Sequence, residues 1–188
     1  MSDFTALKIK SIKKETEKSV SIAFDIPESL ESKYQFKAGQ YITLKTKING
    51  EEIVRSYSIC SAPISGELKI GVKAIPNGLF SNYALNKLNK GDELEVSPPT
   101  GRFTLNDPSS KNNLLGIAAG SGITPILSII HDVLDSNPES TFVLLYGNRS
   151  KKETMFSKEI SELQNLHTNR FFCYNIFSQE NNSDSEFG

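Results

Sequence analysis

Apolar residues are spaced in two ways along this chain, and the change falls near residue 107. In the first part they alternate. Leu7 and Ile9, then Ile12, are apolar with lysines between them, and Val20, Ile22, Phe24 and Ile26 recur at every second position. Residues two apart on a strand share a face, so this spacing predicts strands with one wetted side. Tyr41, Thr43 and Lys45 alternate with Ile42, Leu44 and Thr46, and Asn49-Gly50 separates that run from Ile53-Val54. Asn-Gly accepts the positive φ angles of a two-residue hairpin turn, so these runs are expected to pair. Leu68–Val72 and Leu94–Val96 add two more strands. Several short antiparallel strands with turn residues between them predict a closed, six-stranded barrel. One helix interrupts it: Phe80, Tyr83, Ala84 and Leu88 fall on one helical face, and Gly91 follows as its stop.

Asn106–Asn113 is a run of polar turn formers and reads as a linker between units spanning 1–107 and 108–188. Beyond it the apolar residues come in blocks. Leu114–Ala119 is nearly continuous, as expected of a strand buried on both faces, and Phe142–Tyr146 reads as another buried strand. Ile126, Ile129, Ile130, Val133 and Leu134 line one helix, and Met155, Phe156, Ile160 and Leu163 line a second. Phe171–Phe177 is a third strand, and Asn181–Ser185 is polar and loop-like. Strand–helix–strand–helix–strand predicts a doubly wound parallel sheet, here incomplete.

Composition removes several function classes. Lys and Arg total 21 against 22 Asp and Glu, so no long-range field favours nucleic acid or a membrane surface. No apolar run approaches the ~20 residues of a spanning helix. Met1–Phe4 opens without the basic region and apolar core of a secretory signal. Cys60 and Cys173 stand far apart in no metal-type spacing, which predicts a reducing cytoplasm and no metal site. His131 and His167 have no partner spacing for a metal or a proton relay.

Two segments carry candidate chemistry. Arg55-Ser56-Tyr57-Ser58 ends an alternating strand. A guanidinium bonds a phosphate in two places, and Tyr57 shares the strand face of Arg55. Ser58 faces the other way unless the strand bends. The plain alternatives are a solvated arginine, a rim tyrosine and a strand-end serine bonded to backbone. Gly120-Ser121-Gly122-Ile123-Thr124-Pro125 joins a buried strand to a helix. Its glycines permit close approach of a dinucleotide, Thr124 is within reach of a nicotinamide ribose or ring, and Pro125 suits a first helical turn. A tight strand-to-helix turn accounts for the same glycines.

These segments resemble the ferredoxin–NADP reductase superfamily. Ala38-Gly39-Gln40-Tyr41 resembles the turn that precedes its Arg-x-Tyr-Ser signature, matched here by Arg55–Ser58. Val72-Lys73 through Gly78-Leu79-Phe80-Ser81 resembles its second flavin segment, Gly120–Pro125 its nicotinamide motif, and Tyr146–Ser150 the segment after its second nucleotide strand. The wording is nearest to reductase subunits of phenylacetyl-CoA epoxygenase and related oxygenases, with flavohaemoglobin reductase domains further off. Five motifs in order, over nearly all 188 residues, are far more specific than any one.

The resemblance implies a FAD-binding barrel followed by an NAD(P)-binding domain. It implies Arg55 on the FAD pyrophosphate, Tyr57 against the isoalloxazine, Ser58 near N5, and amides of Gly78, Leu79, Phe80 and Ser81 on the pyrophosphate at a helix N-terminus. Gln40, Tyr41, Ser56, Val72 and Lys73 fall in the same flavin segments; Gly120, Ser121, Gly122 and Thr124 fall to the nicotinamide. Ser81 has a second reading as a cap of its own helix. Arg149 and Ser150 around an adenosine 2′-phosphate favour NADPH over NADH, no acidic residue standing at that strand end. Ser150 also opens a capping box with Glu153.

The function implied is hydride transfer from NADPH or NADH to FAD, with Ser58 and Thr124 at the reacting rings, then single electrons to an electron-accepting protein, an oxygenase or ferredoxin-type domain. A non-catalytic flavin relay module and a partner-binding scaffold without flavin are the alternatives. The family's late Cys-Gly-Pro segment and the iron–sulfur domain of resembling reductases have no counterpart before Gly188, so the chain is expected to be part of a longer reductase.

Overall fold

The computed structural model describes residues 3–180. Residues 181–185, expected as a polar loop, lie outside the described residues. Six strands build the first sheet: β1 (Thr5–Thr16), β2 (Ser19–Asp25), β3 (Tyr41–Ile48), β4 (Glu51–Ser58), β5 (Leu68–Lys73) and β6 (Glu93–Val96). Their order is β4-β3-β6-β1-β2-β5, and every pairing is antiparallel. The β3–β4 hairpin turns at Asn49 (φ 53°) and Gly50 (φ 87°), with Ile48 opposite Glu51. This is the turn that Asn-Gly encodes.

The barrel does not close as a continuous ladder. Its ends, β4 and β5, meet only beyond Ser58, at an Ile59–Ile70 bridge with the Cys60 N–H donating to the Lys69 carbonyl at 2.8 Å. Inside sit Leu7, Ile9, Ile22, Phe24, Ile42, Leu44, Leu68, Ile70 and Phe80. Full burial of each such side chain stabilises by roughly 1.5–3 kcal/mol, so this interior dominates the unit's stability. β2 departs from the one-wet-face expectation, because Ser19 to Phe24 are all buried. Where β2 pairs with β5, the outer face of the sheet is covered by the second unit. Ser21 pairs with Gly71, and a Cβ on Gly71 would lie 2.7 Å from Thr124 and 2.9 Å from Phe156. Glycine is required there for the close approach.

A four-residue helix, α1 (Glu31–Tyr34), leads into β3, and α2 (Leu79–Asn86) follows β5. α2 ends before Leu88 and Gly91. Gly91 (φ 93°) serves instead in the turn into β6, so it is no direct helix stop.

The second unit is a parallel three-stranded sheet, β7 (Asn113–Ala119), β8 (Thr141–Asn148) and β9 (Phe171–Phe177), in that order. α3 (Ile123–Ser136) and α4 (Ser157–Leu166) cover one face, burying Ile126, Ile130, Val133, Leu144, Tyr146, Ile160 and Phe171 together. The expectation that β7 is buried on both faces is overturned. Leu115 is 62% and Ile117 71% exposed, because among the described residues no helix lies over that side. β8 likewise buries only alternate residues completely. Met155 and Phe156 are buried as expected but precede α4, with Phe156 at φ 57°.

Candidate functional site

The flavin-type residues gather where β4 leaves the barrel beside α2. Cross-strand register places Arg55 opposite Leu44 and Tyr57 opposite Ile42, so both lie on the sheet face of those residues, while Ser56 and Ser58 lie on the face of Thr43 and Tyr41. Arg55 is exposed, and its Nη1 donates to the Val54 carbonyl at 2.8 Å. Tyr57 is half-buried, its ring centroid 5.4 Å from that of Phe80 in the first turn of α2. Such an aromatic pair adds about 0.5–1.5 kcal/mol to simple burial and fixes the tyrosine plane. Burial pushes the Tyr57 hydroxyl up to about 12, with Arg55 opposing, so the phenol stays neutral at physiological pH. Ser56 and Thr43 hydroxyls share a 2.9 Å hydrogen bond, and Ser58, half-buried, sits opposite Tyr41.

The segment after β5 is folded tightly against α2. A Cβ on Gly78 would lie 2.6 Å from the Ile75 side chain, so only glycine allows this approach. The Ser81 hydroxyl donates to the Gly78 carbonyl and accepts from the Ile75 N–H, both at 3.3 Å. Ser81 thus braces the preceding loop and does not cap the helix, since α2 has no side-chain cap. First-turn amides of an α-helix have no partner within the helix, so Leu79, Phe80 and Ser81 offer N–H groups at its positive end. The turn before β3 is held separately. Gln40 accepts the Lys37 N–H through its side chain at 2.8 Å, and its carbonyl receives the Ile59 N–H at 2.9 Å.

The glycine turn of the second unit faces β5. Gly120 (φ 52°) starts a short 3-10 turn through Gly122, and a Cβ there would lie 3.7 Å from Lys73 Nζ. Ser121 and Gly122 are exposed. Thr124 is buried and its hydroxyl donates to the Ser121 carbonyl at 3.0 Å, so it shapes the turn. Val72 is buried in the barrel interior and Lys73 is partly exposed.

At the end of β8, Arg149 is exposed and Ser150 half-buried. The expected capping box does not form. Ser150 makes no side-chain cap, and the Glu153 N–H bonds the Ser150 carbonyl at 3.1 Å. The Glu153 carboxylate turns to the barrel instead, 2.8 Å from Lys18 Nζ and 3.6 Å from Lys73 Nζ. The Lys18 hydrogen bond holds this carboxyl below the usual glutamate range. Acidic groups do stand near this strand end, since the Lys151 N–H also donates to Glu180 Oε1 at 2.7 Å.

Sequence spacing missed the contacts that join the units. The Ser128 hydroxyl donates to the Ser61 carbonyl at 2.7 Å in a buried setting. His131, which showed no partner in sequence, meets Glu159 at 2.9 Å, and Glu159 lies 3.8 Å from Lys69. His167 Nδ1 meets Arg170 at 2.8 Å. Apart from His167 and Arg170, which stand three residues apart, these partners are distant along the chain, so no local signal marks them. Cys60 is fully buried, as expected of an apolar filler, but it packs with the second unit's core. Among the described residues no cluster of His, Cys, Asp or Glu is fit to hold a metal ion.

Comparison with known proteins accords with this geometry. Residues 6–105 match the family model of the oxidoreductase FAD-binding domain, and residues 117–187 that of the oxidoreductase NAD-binding domain. The chain is 41% identical over 96% of its length to the E component of 1,2-phenylacetyl-CoA epoxidase from Escherichia coli (strain K12), of which it covers 51%. It thus spans about half the length of that curated relative. Among solved structures, the FAD/NAD-binding domain of nitric oxide dioxygenase from Vibrio cholerae superposes with a TM-score of 0.83 at 25% identity, over 97% of this chain and 78% of that one. A ferredoxin NADP+ reductase from Neisseria gonorrhoeae, solved with FAD and NADP bound, gives 0.78 at 27% identity, over 97% and 71%.

Proposed function

Because the chain belongs to the ferredoxin–NADP reductase-like family of FAD- and NAD-binding oxidoreductases, we propose that it is the electron-entry part of an oxygenase reductase. It takes a hydride from NADPH, or NADH, and sends electrons singly to an iron–sulfur centre or similar acceptor in a partner protein, in the cytoplasm. No helix among the described residues is long and apolar enough to cross a membrane. The units divide at Asp107, with the barrel serving FAD and the parallel sheet serving the nicotinamide nucleotide.

One observation carries this reading. An exposed guanidinium, a half-buried phenol and the N-terminal amides of α2 converge on one corner, and the Gly120 turn lies beside the strand leading into it. The corner fits a flavin dinucleotide. Arg55 and the amides of Leu79, Phe80 and Ser81 supply the donors that a pyrophosphate needs. Tyr57, fixed by Phe80, supplies a flat apolar wall. Ser58 supplies a hydroxyl near the ring edge, and Gln40 and Tyr41 border the same strand end. When bound, FAD supplies the ring that accepts a hydride and releases electrons one at a time. The protein's part is to hold the two ring systems in register and to exclude water from between them. Ser121, Gly122 and Thr124 form the nucleotide's seat, and Arg149 with Ser150 forms the preference for a 2′-phosphate.

FAD titration tests the reading. Cys60→Ser is expected to bind FAD as the unaltered chain does, and Arg55→Ala to lose at least about tenfold in affinity, in keeping with a charge-assisted hydrogen bond to phosphate. Equal retention by both variants would refute the phosphate role. Failure of the unaltered chain to take up FAD would favour a partner-binding scaffold. Flavin binding with no bleaching by NADPH would favour a non-catalytic relay module.

A further inference from the structure

Tyr146 is among the largest fully buried side chains, and its neighbours Leu144, Phe142 and Phe171 form an apolar core. A phenylalanine would fill that space equally well, so the hydroxyl has to be explained by what it touches. It donates to the Gly120 carbonyl at 3.0 Å and approaches the Met155 carbonyl at 3.3 Å. A phenol has one proton, so the two carbonyls share it. The Gly120 carbonyl also receives the Ile123 N–H at the entry to α3, which fills both of its lone-pair positions. Gly120 itself is in the left-handed region, where glycine's many alternatives make a lone peptide easy to rotate.

We infer that Tyr146 is the positioning residue of the nucleotide turn: its hydroxyl pins the Gly120 carbonyl and so fixes the direction in which Ser121, Gly122 and Thr124 face β5. The inference rests on the reading of this turn as the nicotinamide nucleotide's seat. The second acceptor widens the effect. Met155 leads with Phe156 into α4, and both side chains lie under Gly71, within 3.1 Å of a Cβ placed there. One hydroxyl therefore ties the turn to the segment that docks on β5. Burial pushes this hydroxyl well above the ordinary phenol range, so it remains a donor at every physiological pH. Asn148, next on the same strand face, is also buried; it makes no hydrogen bond of full geometry among the described residues, but its side chain lies beside the Tyr146 hydroxyl and opposes the effect of burial there.

The test uses the whole chain loaded with FAD and compares it with Tyr146→Phe. Ile160→Val, which trims the same core by one carbon without touching the turn, controls for general loosening. Amide exchange in the segment 120–123 is expected to rise about fivefold in Tyr146→Phe, the equilibrium equivalent of one ordinary hydrogen bond. NADPH affinity is expected to fall by a similar factor, with FAD affinity unchanged and Ile160→Val unaffected on both counts. Exchange at 120–123 equal to that of the unaltered chain, or raised alike in Ile160→Val, overturns the inference. So does equal NADPH affinity in the unaltered and Tyr146→Phe chains. If the unaltered chain binds no NADPH while exchange rises as expected, the positioning role stands and the nucleotide reading is what fails.

Discussion

Arg55 and Lys73 both carry a cation toward the same corner, but they do different work. Lys73 is engaged across the unit boundary with Glu153 at 3.6 Å, whereas the Arg55 side chain bonds a neighbouring backbone carbonyl and is exposed. Arg55→Lys is therefore expected to recover only part of the FAD affinity lost in Arg55→Ala, because an ammonium cannot make two parallel bonds to one phosphate. Flavin fluorescence titration of the three proteins checks this, and full recovery by lysine would mean that charge alone suffices. At Gly120 the constraint is conformational. A methyl group would meet Lys73 Nζ at a comfortable 3.7 Å, but the φ of 52° penalises any L-residue. Gly120→Ala is expected to cost about 1–2 kcal/mol of stability and to weaken nucleotide binding while sparing FAD, measured by thermal unfolding and by separate titrations.

The β3–β4 hairpin was fully legible in sequence, since Asn49-Gly50 encodes its turn and alternation encodes its register. The faces of β7 were not. An unbroken apolar run such as Leu114–Ala119 says that a strand is apolar, not which side is covered, and coverage depends on elements remote in sequence. The outcome is a sheet face bearing Leu115, Ile117, Phe172 and Ile176 in solvent. Ile117→Thr is expected to leave unfolding within about 0.5 kcal/mol, the ordinary range of surface substitutions. It is expected to raise the concentration at which the chain self-associates, which light scattering measures; unchanged association would show that this face is not sticky. α3 is secured by a residue that periodicity could not find. Arg170 Nη1 donates to the carbonyls of Leu134, Asn137 and Ser140 at 3.1–3.3 Å, satisfying groups that the end of the helix leaves open. Arg170→Ala is expected to destabilise the chain by about 2 kcal/mol, as loss of charged hydrogen bonds does, and denaturant unfolding reads the loss.

The two units are held in register by Ser128–Ser61 and by ion pairs of Lys18 and Lys73 with Glu153 and of Lys69 with Glu159. None of these pairs is local, and so the family motifs marked the two halves of the proposed site while leaving the contacts between the units invisible. Glu153 is held below the usual glutamate range by its Lys18 bond. Burial works against ionisation of Glu159, but the His131 hydrogen bond and Lys69 outweigh it, so its carboxyl is also lowered. A carboxyl lowered on folding adds stability above its unfolded value of about 4.3 and loses it as the pH falls through the folded value. The chain is thus expected to keep this contribution from neutral pH down to about 4.3 and to lose it progressively below. Glu153→Gln should flatten part of that acid loss in a pH series of unfolding curves; an unchanged profile would remove Glu153 from the clasp.

The central claim is spatial: FAD lies at the corner made by Arg55, Tyr57 and the start of α2, facing the Gly120 turn. A crystal structure of the FAD-loaded chain measures this directly. The account predicts the pyrophosphate within hydrogen-bonding distance of Arg55 and of the Leu79–Ser81 amides, with the isoalloxazine against Tyr57. Flavin bound at any other place on the molecule would contradict it.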